Sequence, residues 1–242
     1  MAGAAVVIGV GAEQGTGAAL ARRFAREGLP TFVAGRTPEK VEAVAAAIRS
    51  EGFLAQAIVA DCTVIDDVLR LLDTAEAAAG SLEAVLYNAG NNRFAPLLEM
   101  DDAFFEDLWR VCCFGGFLVG REAARRMLPN GRGSILFTGA TASMRARPPF
   151  TAFASAKAGL RAVAHGMARE FGPQGIHVGH LVIDGVIDGD QVNTKFPQLK
   201  ERLGKEGMLA VDDIADAFWS LHAQPRSAWT LELDLRPSRE TF

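Results

Sequence analysis

Phe153 and Lys157 stand four residues apart in Phe153-Ala154-Ser155-Ala156-Lys157, a spacing that puts both side chains on one face of a helix. An aromatic hydroxyl at the first position would make a general acid, with the lysine ammonium as its electrostatic partner. Phenylalanine has no hydroxyl and no proton to give. The other chemistry-bearing stretch is Gly9-Val10-Gly11-Ala12-Glu13-Gln14-Gly15-Thr16-Gly17. Its glycines permit a tight turn and let backbone N–H groups approach a pyrophosphate, which a following helix N-terminus favours electrostatically. The spacing of Gly11, Gly15 and Gly17 is G-x-x-x-G-x-G rather than G-x-G-x-x-G.

Three more sites follow strands. Ala34-Gly35-Arg36 lacks the acidic residue that would receive the 2′-hydroxyl of NAD. Arg36 instead offers a guanidinium to the 2′-phosphate of NADP, with bidentate geometry available. A solvated arginine at a helix start is the alternative, and NADP(H) is expected over NAD(H). Asp61-Cys62 and Asn88-Ala89-Gly90 also end apolar runs, positions that face the ligand crevice of an open α/β sheet. Asp61 there could accept from an adenine amino group, and Asn88 could hold its loop close to a ribose. Each also has an ordinary turn reading.

The elements that must position these residues alternate along the chain. Strands are expected at Ala4–Val10, Pro30–Ala34, Leu54–Ala60, Leu82–Tyr87, Ser134–Thr138, His177–Ile183 and Trp229–Leu235. Their near-continuous apolar character suits a sheet buried on both faces. Helices are expected at Gly15–Glu27, Pro38–Ser50, Ile65–Ala79, Asp101–Met127, Thr151–Phe171 and Asp212–Leu221, with Thr37 as an N-cap before Pro38. This alternation predicts an α/β fold, a doubly wound parallel sheet in one domain spanning 1–242. The stretch Gly185–Gly207 has few helix signals and is expected to be a lid over the substrate.

Composition bounds the function. The 242 residues are 49% hydrophobic, enough for a sizeable core, and the net charge of −4 argues against nucleic acid as a partner. Cys62, Cys112 and Cys113 have neither metal spacing nor a disulfide framework. The N-terminal MAGAAVVIGV lacks a basic n-region and reads as a first strand, and no run of about twenty apolar residues could span a membrane. A cytoplasmic protein without a membrane partner is expected.

Taken together, the turn at Gly11, Gly15 and Gly17, then Asp61, Asn88-Ala89-Gly90, the Gly133–Ile135 strand start, Lys157 and a strand near Asp234 resemble the short-chain dehydrogenase/reductase superfamily over nearly the whole chain. The resemblance implies a three-layer Rossmann fold with a seven-stranded parallel sheet. It also implies an NADP(H) site at Gly11, Gln14, Gly15, Gly17, Arg36, Asp61, Cys62, Asn88, Ala89, Gly90, Lys157 and Gly185, and a homodimer or homotetramer built on the two long helices. Small residues on several sides of Thr151–Phe171 fit that assembly.

The family's active site is a tetrad of asparagine, serine, tyrosine and lysine. Carried over, these positions fall on Cys112, Ala140, Phe153 and Lys157, so only the lysine matches. The loop after the sixth strand, which usually begins Pro-Gly, is Asp184-Gly185, and a threonine expected a few residues later is replaced around Asp188-Gly189. This pattern resembles an atypical branch with phenylalanine at the tyrosine position. Thr141 and Ser143 are candidate replacement donors, and Tyr87, the single tyrosine, is expected to pack rather than act as an acid. Arg145 and Arg147 are read as a solvated loop in preference to an anionic-substrate contact. The four histidines, His165, His177, His180 and His222, show no catalytic spacing. Three functions remain open: an NADP-dependent oxidoreductase with altered chemistry, a cofactor-binding sensor or scaffold without turnover, and, least favoured, a non-redox enzyme reusing the pocket.

Overall fold

The computed structural model describes residues 3–90 and 92–240. Its strands are β1 (Ala4–Ile8), β2 (Thr31–Gly35), β3 (Ala55–Val59), β4 (Leu82–Tyr87), β5 (Ser134–Thr138), β6 (His177–Ile183), two three-residue strands β7 (Val186–Asp188) and β8 (Met208–Ala210), and β9 (Glu232–Leu235). Seven of them form a parallel sheet in the order β3-β2-β1-β4-β5-β6-β9, while β7 and β8 pair separately. The chain runs outward from β1 to β3, then returns to place β4 on the other side of β1. The carboxyl ends of β1 and β4 therefore flank a topological switch point, where such sheets bind ligands.

Side chains alternate across each strand. Val6 and Ile8 pack with Val68, Leu71, Val119 and Leu160, from α3 (Ile65–Ala79), α5 (Gly115–Met127) and α6 (Thr151–Phe171). Ala5 and Val7 pack with Leu20, Val44 and Phe218, from α1 (Thr16–Arg26), α2 (Pro38–Ser50) and α9 (Val211–His222). All residues of β1, β2, β5 and β6 are buried, as expected for a sheet with two covered faces. β3 departs from that expectation: Gln56 and Val59 are exposed, because this strand is an edge.

Two other expectations change. The helix expected over Asp101–Met127 is α4 (Asp102–Trp109), a π-helical turn at Arg110–Phe114, and α5. The Tyr87 hydroxyl donates to the Val111 carbonyl inside that turn, and a side chain entering a helix's own hydrogen-bond ladder is a known cause of such a break. The stretch 185–207 is more structured than its composition suggests. It contains β7, α7 (Asp190–Lys195) and α8 (Pro197–Leu203), the last with proline in its first turn. Thr37 does precede α2, but its side chain makes no capping hydrogen bond.

Candidate active-site cleft

A cleft of about 1200 Å³ opens at the switch point, and Gly11, Gly15, Gly17, Asn88, Lys157 and Gly185 all line it. α1 begins there with Gly15 as its N-cap, no side-chain capping bond and no acidic residue in its first turn. Its first N–H groups are thus left to a ligand, and the helix dipole favours an anion. Gly9, which the spacing argument left out, makes the turn possible. It has φ +87°, and a Cβ there would lie 2.3 Å from the Ala89 nitrogen. Across the cleft Gly185 has φ +152°, with the Pro237 ring 2.7 Å from where a Cβ would stand. These features fit a dinucleotide: an open glycine cradle, free helix N–H groups and a buried ammonium deeper in.

That ammonium is held by a chain of hydrogen bonds running across three strand ends. Asn88 Nδ2 donates to the Gly9 carbonyl at 3.2 Å, and Thr138 Oγ1 donates to Asn88 Oδ1 at 3.0 Å. Lys157 Nζ then donates to the Thr138 carbonyl at 2.8 Å. An ammonium has three donors, so two remain for ribose hydroxyls. Lys157 is 4% exposed, and burial pushes its pKa below the ordinary lysine value, with only a small opposing influence from Cys112.

Of the four positions to which the resemblance assigns the tetrad, three line this end of the cleft. The Phe153 ring and Ala140 line the cleft, and Lys157 Nζ is 5.8 Å from the ring centroid. Cys112 does not line it; it is fully buried in the π turn, behind Gly90. Neither hydroxyl considered as a replacement donor is free to act. Thr141 Oγ1 donates to the Asp184 carboxylate and to the Ile183 carbonyl, and Ser143 is buried off the cleft lining. Tyr87 is fully buried between Cys62 and Val111, and desolvation raises its pKa well above the ordinary tyrosine value.

Asp184 stands where the resemblance implies a proline. It is almost fully buried and is held by Thr141, by Arg145 at 3.2 Å and by Arg236 at 3.2 Å. The Arg145 charge is therefore satisfied by Asp184. Arg147 lines the cleft with no carboxylate partner among the described residues.

Several residues expected at the cofactor stand outside the lining of the main cleft. The Cys62 side chain points into the protein against Tyr87, 3.4 Å away. Ala89 is buried beneath the turn at Gly9 and does not line the cleft. Gln14 lines a smaller depression of about 460 Å³ beside Glu39 and Lys40, and its carbonyl accepts from the Asp190 N–H at 3.2 Å. Arg36 and Asp61 stand side by side, 4.0 Å apart, beyond the lining of the main cleft.

Two of the four histidines, His165 and His180, are gathered by Glu232 of β9. Glu232 pairs across the sheet with His180, and both its oxygens accept from Arg161 at 2.7 Å. Its Oε2 also meets His165 at 2.9 Å and His180 at 3.0 Å. The Arg161 guanidinium, with these partners, holds the Glu232 pKa at about 2, while burial lowers that of His180 to about 4. These three side chains bring ligand-type atoms within 4.8 Å of one another, but a metal cation would have to displace Arg161 from both carboxylate oxygens.

The sheet order and the glycine-lined crevice at its switch point define a Rossmann-type α/β protein. The profile of the short chain dehydrogenase family matches residues 5–200, and the chain belongs to that family. It is 32% identical over 171 residues to gluconate 5-dehydrogenase of Gluconobacter oxydans (strain 621H), covering 71% of this chain and 67% of that protein. A short-chain dehydrogenase structure from Rhodopseudomonas palustris shares 41% identity with a TM-score of 0.81, covering 96% of this chain and 98% of that one. A gluconate 5-dehydrogenase from Burkholderia cenocepacia J2315, solved with NADP and tartrate, shares 26% identity with a TM-score of 0.83, covering 98% and 95%. Among the described residues, no helix is long and apolar enough to cross a membrane.

Proposed function

We propose that this chain is an oxidoreductase that prefers NADP(H) to NAD(H) and works without the family's tyrosine, as a member of a branch carrying phenylalanine at that position. The observation that carries the reading is the Gly9–Asn88–Thr138–Lys157 chain, which presents a buried ammonium to the cleft. NADPH supplies the hydride when bound. The glycine turn and the α1 N-terminus receive its pyrophosphate, and Lys157 donates to the ribose hydroxyls. Exposed Arg36 meets the 2′-phosphate. With its pKa lowered by burial, Lys157 is also the group placed to release a proton, passed on through the ribose hydroxyl to which it donates, to the oxygen that becomes an alcohol. The segment 185–207 serves as the lid. Assembly as a homodimer or homotetramer would cover Trp109 and Phe117, exposed on the α4–α5 side, and Ala158 and Ala162, exposed on α6.

A second reading, cofactor binding without turnover, is favoured by one observation: the Thr141 hydroxyl is committed to Asp184, leaving no donor in the serine's place. Calorimetric titration with NADPH and NADH, followed by turnover on a carbonyl panel, separates the two. Turnover that disappears in Lys157→Ala supports the enzyme. Tight NADPH binding with silence across the panel supports the second reading, and binding of neither nucleotide overturns both.

A further inference from the structure

We infer that the substrate half of this cleft is built for an apolar, ring- or chain-bearing carboxylate. The inference rests on the cleft being a substrate site, as proposed above, and adds the chemical class of the substrate.

Beyond Lys157 the lining is aromatic. Phe94, Phe104, Phe150, Phe153 and Phe196 all face the cleft. The Phe94 and Phe150 rings are 5.3 Å apart, and the Ala95 N–H donates to the Pro149 carbonyl at 3.2 Å, joining the two loops that carry them. Phe94 and Phe196 are about half exposed, at 58% and 49%. Large apolar side chains left open at the mouth of a concave site mark where an apolar ligand is received.

Three cations line this cleft without an acidic partner among the described residues, Arg93, Arg147 and Lys195, and the two guanidinium groups are on the loops that carry Phe94 and Phe150. The Arg93 guanidinium lies over the Phe104 ring, 4.3 Å from its centroid. Stacking of this kind fixes the plane and leaves the edge N–H groups for a carboxylate. The acidic groups that line the cleft do not cancel this charge. Asp184 is already held by Arg145 and Arg236. Asp190 borders the glycine turn through its bond to Gln14, at the cofactor end. Glu240 lies on the C-terminal tail. A neutral substrate would make no use of two unpaired guanidinium groups. A purely hydrophilic acid would make no use of the rings.

The test is saturation-transfer NMR titration of the NADPH-loaded protein with three probes: 3-phenylpropionate, its neutral amide, and gluconate. The acid is expected to bind about tenfold more tightly than the amide, equivalent to about 1.4 kcal/mol, and more tightly than gluconate. In Arg93→Gln/Arg147→Gln the preference for acid over amide should vanish while NADPH affinity stays unchanged. Phe150→Ala should weaken acid and amide together. Equal binding of acid and amide, a preference that survives in the double arginine variant, or gluconate binding as tightly as the phenyl acid would each overturn the inference. A protein that discriminates the probes but fails to bind NADPH overturns the cofactor reading alone.

Discussion

Lys157 gives one of its protons to the main-chain oxygen of Thr138 at 2.8 Å, while the side chain of the same threonine reaches the other way to Asn88. One residue thereby joins the ammonium to the strand ends that carry the glycine turn. The bond orients the lysine but does not repay the full cost of burying its charge, since a single neutral acceptor is a weak counterpart to an ammonium.

Replacing that ammonium should therefore separate stability from binding. Lys157→Met is expected to keep the fold and to raise Tm by roughly 2–4 °C, the scale of about 1 kcal/mol in a domain of this size. NADPH affinity should fall at least about tenfold. Thermal melts with calorimetry check this, and a large drop in Tm would instead make the lysine a structural residue.

Arg36 is expected to distinguish the two nicotinamide cofactors. It is well exposed, and its nearest acidic group, Asp61, is 4.0 Å away, so it is available to a phosphate. Arg36→Ser should weaken NADPH about tenfold and leave NADH unchanged. Parallel titrations with both nucleotides would show it, and equal losses for the two would count against a 2′-phosphate contact.

Placing hydroxyls at the two positions where the resemblance implies tyrosine and serine should confer carbonyl reduction. Phe153 and Ala140 both line the cleft, and the Phe153 ring is already within 5.8 Å of the lysine nitrogen. Phe153→Tyr with Ala140→Ser is expected to raise NADPH-dependent reduction by about 10²–10⁴-fold, the contribution of a positioned general acid. A double variant that binds NADPH yet shows no gain would mean that the pocket has changed beyond these two positions.

Acidification should loosen the fold before the carboxylates titrate. Burial lowers both His180 and His222 from 6.5 to about 4. Between those values the unfolded chain binds more protons than the native one, so stability rises with pH. It is fully present above about pH 6.5 and is lost progressively down to about pH 4. Protonation of Glu232, held at about 2, extends the loss below pH 4.5. Tm measured from pH 7.5 to 4 should trace this slope, and His222→Gln should flatten it.

Legibility in the sequence followed the range of the interactions. The glycine turn, Asn88 and the Phe153–Lys157 pair are local patterns on single elements, so spacing alone located them. The π turn has no residue-type signature. It depends on Tyr87, which reaches Val111 from β4. The Asp184 clamp needs Arg236, far along the chain, and the Glu232 cluster needs the register of β6 with β9. Cys62 ends the same apolar run as Asp61, and only the packing of Tyr87 shows its side chain turned inward. Arg145 and Arg147 are two residues apart and alike in type; both line the cleft, but only Arg145 has a carboxylate partner, Asp184, among the described residues.

The bond from the Asp190 N–H to the Gln14 carbonyl has a kinetic consequence. It fastens the start of α7, which stands over the substrate half, to the loop that receives the pyrophosphate. The root of the same segment is moored at Asp184. Filling the loop would stiffen the segment's near end before anything enters the far end, while a substrate arriving first would meet a segment secured only at its root. With the segment as the lid proposed above, nucleotide is expected to add first and substrate second, and product-inhibition patterns would check that order.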